Sequence, residues 1–519
     1  MDKDLVALQE VRDSLRKTRE AQKKYARFNQ AQVDRVCRAM VDAGLAHCQY
    51  LADIAVEETG IGRPDGKYLK NRFAIENTWE DIKDLATVGI VAADEKNRSY
   101  EIAEPYGVIA AVIPTTNPTS TAMFKILIAL KTRNGIVVSP HPRAVKSIGE
   151  ACRILHEAAV KAGAPEGIIT WLAHVTIEAT GHLMKHKDTD LILATGGAGL
   201  VEAAYSAGNP AYGVGPGNVP VYVHRSADLA HAAACLVNSQ TFDNATICSS
   251  EQSVVCDREV GQAFRREMES LKAYFTSPAE TKALEPVCIQ GDRMNPAIVG
   301  LFPWQIAERA GFKVHKETTV LMVPYEGVGP KYPLSMEILT PLLTYYEVSG
   351  EDEAMRRSRE ILEYGGMGHT FVIHATDEDL VRRWAFEMPV HRYLVNSPST
   401  QGAVGFSVNM EPSMTLGCGA FGKNISGDNI TARHLMLVKR FCYVDPKYDE
   451  RFIQPLISGR KTEGRSASPA PSPRVGFASG PAAPPPSSAA PVPAPAPRIG
   501  GPILSPVRPY LMDKYVRKS

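Results

Sequence analysis

The chain has 519 residues, too many for a single hydrophobic core, so two or three domains are expected. With 44% hydrophobic and 22% charged residues it reads as a packed globular protein, which excludes a wholly disordered chain. The 58 basic and 57 acidic side chains leave a net charge of +1, and so give no global reason to expect nucleic-acid binding. That balance is uneven: Ser458 to Ser519 carries +7 and the remainder −6. The nine cysteines are scattered and odd in number, with no C-x-x-C, which argues against a disulfide framework or a zinc ribbon and suits a reducing cytosol. The opening residues are charged throughout and lack the apolar core of a signal peptide. The longest apolar runs, near Val108–Ile113 and Ile126–Leu130, are too short for a membrane span. A soluble, intracellular protein is expected.

In chain order, Leu5, Leu8, Val11 and Leu15 recur at three- and four-residue steps and predict a first helix with one apolar face. A second helix starts at Asn29, where Asn29 and Gln32 fit a capping box and Phe28 and Val33 a hydrophobic staple. From about Pro105 short apolar strands alternate with helices: Val108–Ile113, Ile136–Val138, Ile168–Leu172, Leu191–Ala194 and Val219–Val223. The helix at Arg143–Ala162 stops at Gly163-Ala-Pro165. Continuously apolar strands separated by helices imply a parallel sheet covered on both faces. A second alternating region, with strands at Ser253–Cys256, Val320–Pro324, Thr340–Glu347 and Thr370–His374, reads as a second α/β domain.

Beyond about Ile457 the composition turns to Ser, Ala, Pro and Gly, and 14 of the 37 prolines lie from Ser458 onward. Such a stretch has too little apolar surface to offset its ordering entropy and reads as an extended linker. After it, Ile503, Val507, Leu511 and Tyr515 recur every four residues among Arg and Lys, the pattern of a short amphipathic docking peptide. A frayed terminus is the alternative.

Two segments carry chemistry. In Thr241-Phe-Asp-Asn-Ala-Thr-Ile-Cys248-Ser-Ser-Glu-Gln252 a cysteine sits in a polar loop between a helix and a strand, where a thiolate nucleophile finds partial exposure and local donors. The other eight cysteines read as core. In the run from Pro105 to Ser120, Asn117 lies at a polar turn between strand and helix, placed either to form the turn or to offer its amide N–H to a developing oxyanion. Gly417-Cys-Gly419-Ala-Phe-Gly422 spells G-x-G-x-x-G, but a polar turn follows it instead of a helix, so it reads as a backbone-dense loop. His182 and His186 stand four apart without a third ligand, and no metal site is expected.

PTTNPTSTAMFKILIALKTRNGIVVSPHPRA, LILATGGAGLV, GVGPGNVPVYV, TFDNATICSSEQSVV and GMGHTFV, in this order over roughly residues 1–445, resemble the CoA-acylating branch of the aldehyde dehydrogenase superfamily. They are similar in particular to the aldehyde dehydrogenase half of bifunctional alcohol–aldehyde dehydrogenases and to enzymes of bacterial microcompartments. The resemblance implies an aldehyde dehydrogenase-like α/β fold: a Rossmann-like NAD-binding domain at 1–225, with part of an oligomerisation element near 97–104, and a catalytic domain at 226–420. A returning oligomerisation segment at 421–457, a linker at 458–501 and a docking peptide at 502–519 follow.

It also implies that Cys248 attacks the aldehyde, that Asn117 and the Cys248 backbone N–H form the oxyanion hole, that hydride passes to NAD, and that coenzyme A takes the acyl group. Thr195, Gly196, Gly197, Pro140, His141 and Gly215 are implied in cofactor binding, Glu337 in holding the nicotinamide ribose, and His369 in deprotonating the coenzyme A thiol. Leu339 stands where hydrolytic members usually carry Phe, and Val214 where they carry the glutamate that activates water. The resemblance thus implies oxidation of a short aldehyde, propionaldehyde or acetaldehyde, to its acyl-CoA by a homo-oligomer inside a bacterial microcompartment. A hydrolytic aldehyde dehydrogenase and a non-catalytic cargo adaptor are the rivals. Among partners, shell or cargo proteins are expected through 502–519, and neither nucleic acid nor membrane.

Overall fold

The computed structural model describes residues 3–458; the linker and docking peptide expected at 458–501 and 502–519 lie, but for Ser458, outside the described residues. Helix α1 (Lys3–Tyr25) buries Ala7, Val11 and Leu15 fully, while of the residues expected on the same face Leu8 is half-buried and Leu5 exposed. Helix α2 (Gln30–Ala46) starts with the expected capping box: the Asn29 side chain accepts from the Gln32 N–H, and Gln32 accepts from the Asn29 N–H, both at 2.9 Å. A short helix α3 (Pro64–Arg72) follows, with proline at its first position, where its missing N–H costs nothing.

The first sheet has five parallel strands, β1 (Val108–Val112), β2 (Gly135–Ser139), β3 (Ile169–Trp171), β4 (Leu191–Thr195) and β5 (Ala211–Val214), in the order β3-β2-β1-β4-β5. This is the doubly wound arrangement, whose order reverses between β1 and β4 and opens a crevice at their carboxyl ends. Between β1 and β2 runs α4 (Pro118–Lys131), buried along its whole length. Even its lysines are committed: Lys125 Nζ donates to the carbonyls of Val112 and Leu193, each at 2.9 Å, and so ties the ends of β1 and β4 together at the crevice. Helix α5 (Val145–Lys161) covers the same face, and α6 (Ala198–Tyr205) follows β4.

The second sheet has seven parallel strands: β6 (Val219–Val223), β7 (Glu251–Asp257), β8 (Tyr274–Phe275), β9 (Leu321–Pro324), β10 (Leu342–Val348), β11 (Gly368–His374) and β12 (Val390–Val395). Their order is β8-β9-β10-β7-β6-β11-β12. The strand at Val219–Val223, which in sequence continues the first alternating region, therefore pairs in the second sheet, between β7 and β11. Its buried, mostly apolar residues suit either sheet. Helix α7 (Leu229–Thr241) connects β6 to β7.

The strands Gly89–Asp94, Ser99–Pro105 and Met436–Cys442 form a third, small sheet. The described residues divide into two compact units, 3–93 with Tyr100–Arg440, and Asp94–Ser99 with 441–458. Both large sheets lie in the first. In the second, the Arg98 guanidinium stacks 3.8 Å from the Tyr443 ring, and Phe441, Tyr443, Val444, Tyr448 and Phe452 are exposed. No helix among the described residues is long and apolar enough to cross a membrane.

Candidate active site

At the carboxyl ends of β1 and β4 opens a cavity of about 1220 Å³. On its wall stand Asn117, Pro140, His141, Thr195, Gly196, Gly197, Val214, Gly215, Cys248 and Glu337. Nine of the ten sequence-derived site residues thus converge there, from loops spread over 220 positions of chain. His369 does not line it: the ring is wholly buried at the start of β11, separated from Cys248 by Gly217. A β-carbon on Gly217 would lie 2.2 Å from the Cys248 carbonyl oxygen and 3.1 Å from the His369 ring, so only glycine passes between them.

The cysteine loop is strained. Asp243, Asn244 and Ala245 all adopt left-handed backbone angles, with φ of 52°, 51° and 57°, a conformation non-glycine residues enter only under constraint. The constraint is a buried charge cluster. The Asp243 carboxylate accepts from Lys67 Nζ at 3.0 Å, from Lys70 Nζ at 2.6 Å and from the Arg63 N–H at 2.7 Å. Helix α3 reaches it because Gly66 has no side chain; a β-carbon there would lie 2.6 Å from the Asp243 backbone. Burial alone would raise the Asp243 carboxyl, but the two ammonium groups outweigh it and the net shift is downward, so the carboxylate stays ionised.

Lys70 carries this order to Asn117. Its Nζ also donates to Asn117 Oδ1 at 2.8 Å and to the Thr246 carbonyl at 3.2 Å. With Oδ1 so engaged, Asn117 Nδ2 is fixed in orientation, and one of its two protons goes to Thr116 Oγ1 at 3.2 Å. The other remains for a ligand. Burial pulls Lys70 down to about 8, with Asp243 opposing. Neither lysine nor Asp243 was singled out by the sequence, where Lys67 and Lys70 are two more charged residues in a polar helix; their spacing of three, on one face beside Gly66, was the one available signal.

Burial, and next the Glu337 charge, push the Cys248 thiol up to about 12, while Arg392 acts in the opposite direction. Glu337 accepts from the Gly217 N–H at 3.0 Å, and burial raises its carboxyl to about 8. His369 is lowered well below its usual value by burial and by Arg392; its Nδ1 meets Thr370 Oγ1 at 2.9 Å and its Nε2 has no partner. Val214, at the end of β5, is buried, and among the described residues the only carboxylates on the cavity wall are Glu178 and Glu337.

The crevice meets the requirements of a dinucleotide. It lies at the switch point of the five-stranded sheet, the buried Thr195 Oγ1 has no partner, and a β-carbon at Gly197, Gly199 or Gly215 would face open space. By contrast, Gly417, Gly419 and Gly422 pack against backbone and the His391 ring, with only a three-residue 3₁₀ turn at Ala420–Gly422, as a backbone-dense loop should.

Fold and site together define a nucleotide-binding α/β protein with a thiol beside the cofactor crevice. The model of the aldehyde dehydrogenase family matches residues 5–282. The bifunctional aldehyde-alcohol dehydrogenase of Escherichia coli K12 is 40% identical over 432 residues, covering 82% of this chain and 48% of that protein. The chain spans about half the length of such curated relatives. Among solved structures, an acetylating aldehyde dehydrogenase from Geobacillus thermoglucosidasius superposes with a TM-score of 0.85 at 46% identity, covering 86% of this chain and 98% of that one. A propionaldehyde dehydrogenase from the Clostridium phytofermentans fucose utilisation bacterial microcompartment gives 0.77 at 26% identity, covering 84% and 97%. The chain belongs to the aldehyde dehydrogenase family.

Three predictions follow from this geometry. Replacing Asp243 with Ala leaves two buried ammonium groups unpaired and costs about 3–5 kcal/mol, read as a fall in the denaturation midpoint; an unchanged midpoint would show that the cluster does not hold the loop. Alkylation of Cys248 by iodoacetamide keeps accelerating above pH 9, because the thiol pKa is raised. Glu337→Gln removes a charge that opposes the thiolate, so it speeds alkylation roughly three- to tenfold above pH 8, where Glu337 is ionised, and little below.

Proposed function

We propose that the chain is an NAD-dependent, CoA-acylating aldehyde dehydrogenase acting on a short aliphatic aldehyde, propionaldehyde or acetaldehyde. The observation that carries this reading is the meeting, on one cavity, of Cys248, the Lys70-oriented Asn117 amide and the open glycine loops at the switch point. Cys248 loses its proton and attacks the aldehyde carbonyl; the oxyanion of the resulting thiohemiacetal is received by Asn117 Nδ2 and the Cys248 backbone N–H. Thr195, Gly196, Gly197, Pro140, His141 and Gly215 would hold the dinucleotide, with Glu337 on the nicotinamide ribose. NAD supplies the hydride acceptor when bound. Cys248 is left carrying a thioester, which coenzyme A removes as acyl-CoA, regenerating the thiol.

Val214 supports thiol over water as acyl acceptor, since a buried valine cannot activate water where hydrolytic members place a glutamate. His369 is the proposed base for the coenzyme A thiol. Its neutral ring, and an Nε2 with no partner among the described residues, support the role. The adaptor reading is disfavoured by the lysine–aspartate cluster, which a protein needing no oxyanion donor has no reason to bury.

We also propose a homo-oligomer built through segments near 97–104 and 425–445. The strand Met436–Cys442 supports this, with Leu437, Val438 and Phe441 exposed. Residues 502–519 are proposed to dock the enzyme on microcompartment shell or cargo proteins, a reading supported by their amphipathic spacing beyond a proline-rich linker.

NADH formation from propionaldehyde and NAD should require coenzyme A for turnover and vanish in Cys248→Ala; steady CoA-independent acid production would instead establish hydrolysis. His369→Gln should keep a burst of one NADH per active site and lose turnover, whereas loss of the burst would remove His369 from the acyl-transfer step. Lys70→Met should lower kcat by about 10²-fold, the scale of a disturbed oxyanion donor. Deleting 502–519 should abolish co-purification with shell proteins and spare turnover.

A further inference from the structure

Helix α7 carries His231 and Cys235 one turn apart on the same face, and β11 ends at His374. One ligand atom from each of the three lies within 4.8 Å of the others. Cys235 Sγ is 3.7 Å from His231 Nδ1, and the His231 and His374 rings meet edge-on with centroids 6.4 Å apart. None of the three lines the cavity that holds Cys248. His374 is 1% exposed, yet among the described residues neither of its ring nitrogens has a hydrogen-bond partner. Buried polar groups are nearly always satisfied, so a doubly unpaired imidazole asks for an occupant.

We propose that His231, Cys235 and His374 bind a divalent cation of the zinc class, with water in the fourth position. Two imidazoles and a thiolate are the donor set of Zn²⁺, Co²⁺ and their neighbours, and lack the oxygen atoms Ca²⁺ and Mg²⁺ require. A tetrahedral ion with bonds of roughly 2.0–2.3 Å needs ligand atoms roughly 3.5 Å apart. The Cys235–His231 pair already stands at 3.7 Å, and the exposed His231 ring is free of core packing and can rotate to close the rest. On binding, Cys235 releases its thiol proton to solvent and forms the metal–sulfur bond, with no change of oxidation state. The ion would fasten α7 to the end of β11. Since α7 runs directly into the strained loop at 242–248, occupancy would stiffen the root of the segment that carries Cys248.

The test is titration of the reduced, full-length protein with Co²⁺, read by thiolate-to-cobalt charge-transfer absorption and by the visible bands of a tetrahedral ion. The wild type should bind one equivalent, and Cys248→Ala should bind the same. His231→Ala and Cys235→Ser should each weaken binding by more than about 100-fold, because even outer-shell changes at such sites cost 10- to 100-fold. His231 is exposed, so its replacement does not put folding at stake. No charge-transfer band in the wild type would overturn the proposal. So would a band that survives Cys235→Ser, or one that disappears with Cys248→Ala and thereby places the ion on the other thiol.

Discussion

The buried contact of Lys67 and Lys70 with Asp243 is the constraint on which the site depends. Three consecutive left-handed residues precede Cys248, a backbone the chain would not hold unaided, and the Asp243 side chain is the anchor that keeps them there. A buried ion pair is often a poor source of net stability, because desolvation cancels much of the attraction. Here the return is positional. One ammonium group touches the carboxylate that fixes the cysteine loop and the amide oxygen of Asn117, so the two halves of the site are set by the same atom.

The parallel sheets supply the frame. In both, the loops that follow the strands gather at the carboxyl ends, and the crevice between β1 and β4 is where neighbouring crossovers part. Lys125 holds those two strand ends from behind. Burial pulls Lys125 down to about 7, a measure of how little water reaches that layer. Arg392 donates to the carbonyls of Gly417 and Gly427, and its charge favours the Cys248 thiolate while that of Glu337 opposes it.

The raised thiol sets a division of labour. A cysteine in this environment is mostly protonated at neutral pH and so reacts more slowly than a thiol at its ordinary value. Glu337 is the charge that opposes the thiolate most, and it is also the residue proposed to meet the cofactor ribose. Under the proposed function, thiol reactivity and cofactor occupancy would meet in one carboxylate.

The sequence by itself determined nine of the strands, the capping box at Asn29, the cysteine loop and the polar turn at Asn117. Each of these is a local matter, written in apolar runs, turn residues and short spacings, and the long motifs carried the family with them. It could not decide which sheet the strand Val219–Val223 joins, since a fully buried parallel strand is apolar on both faces wherever it lies. Nor could it pair Lys70 with Asp243, or bring His374 to His231 and Cys235, because those partners are separated by 173 and about 140 residues and their charges and rings look like ordinary surface residues until the core closes over them. Long-range pairing of buried polar groups is settled by how the layers pack, and only the tertiary structure decided it.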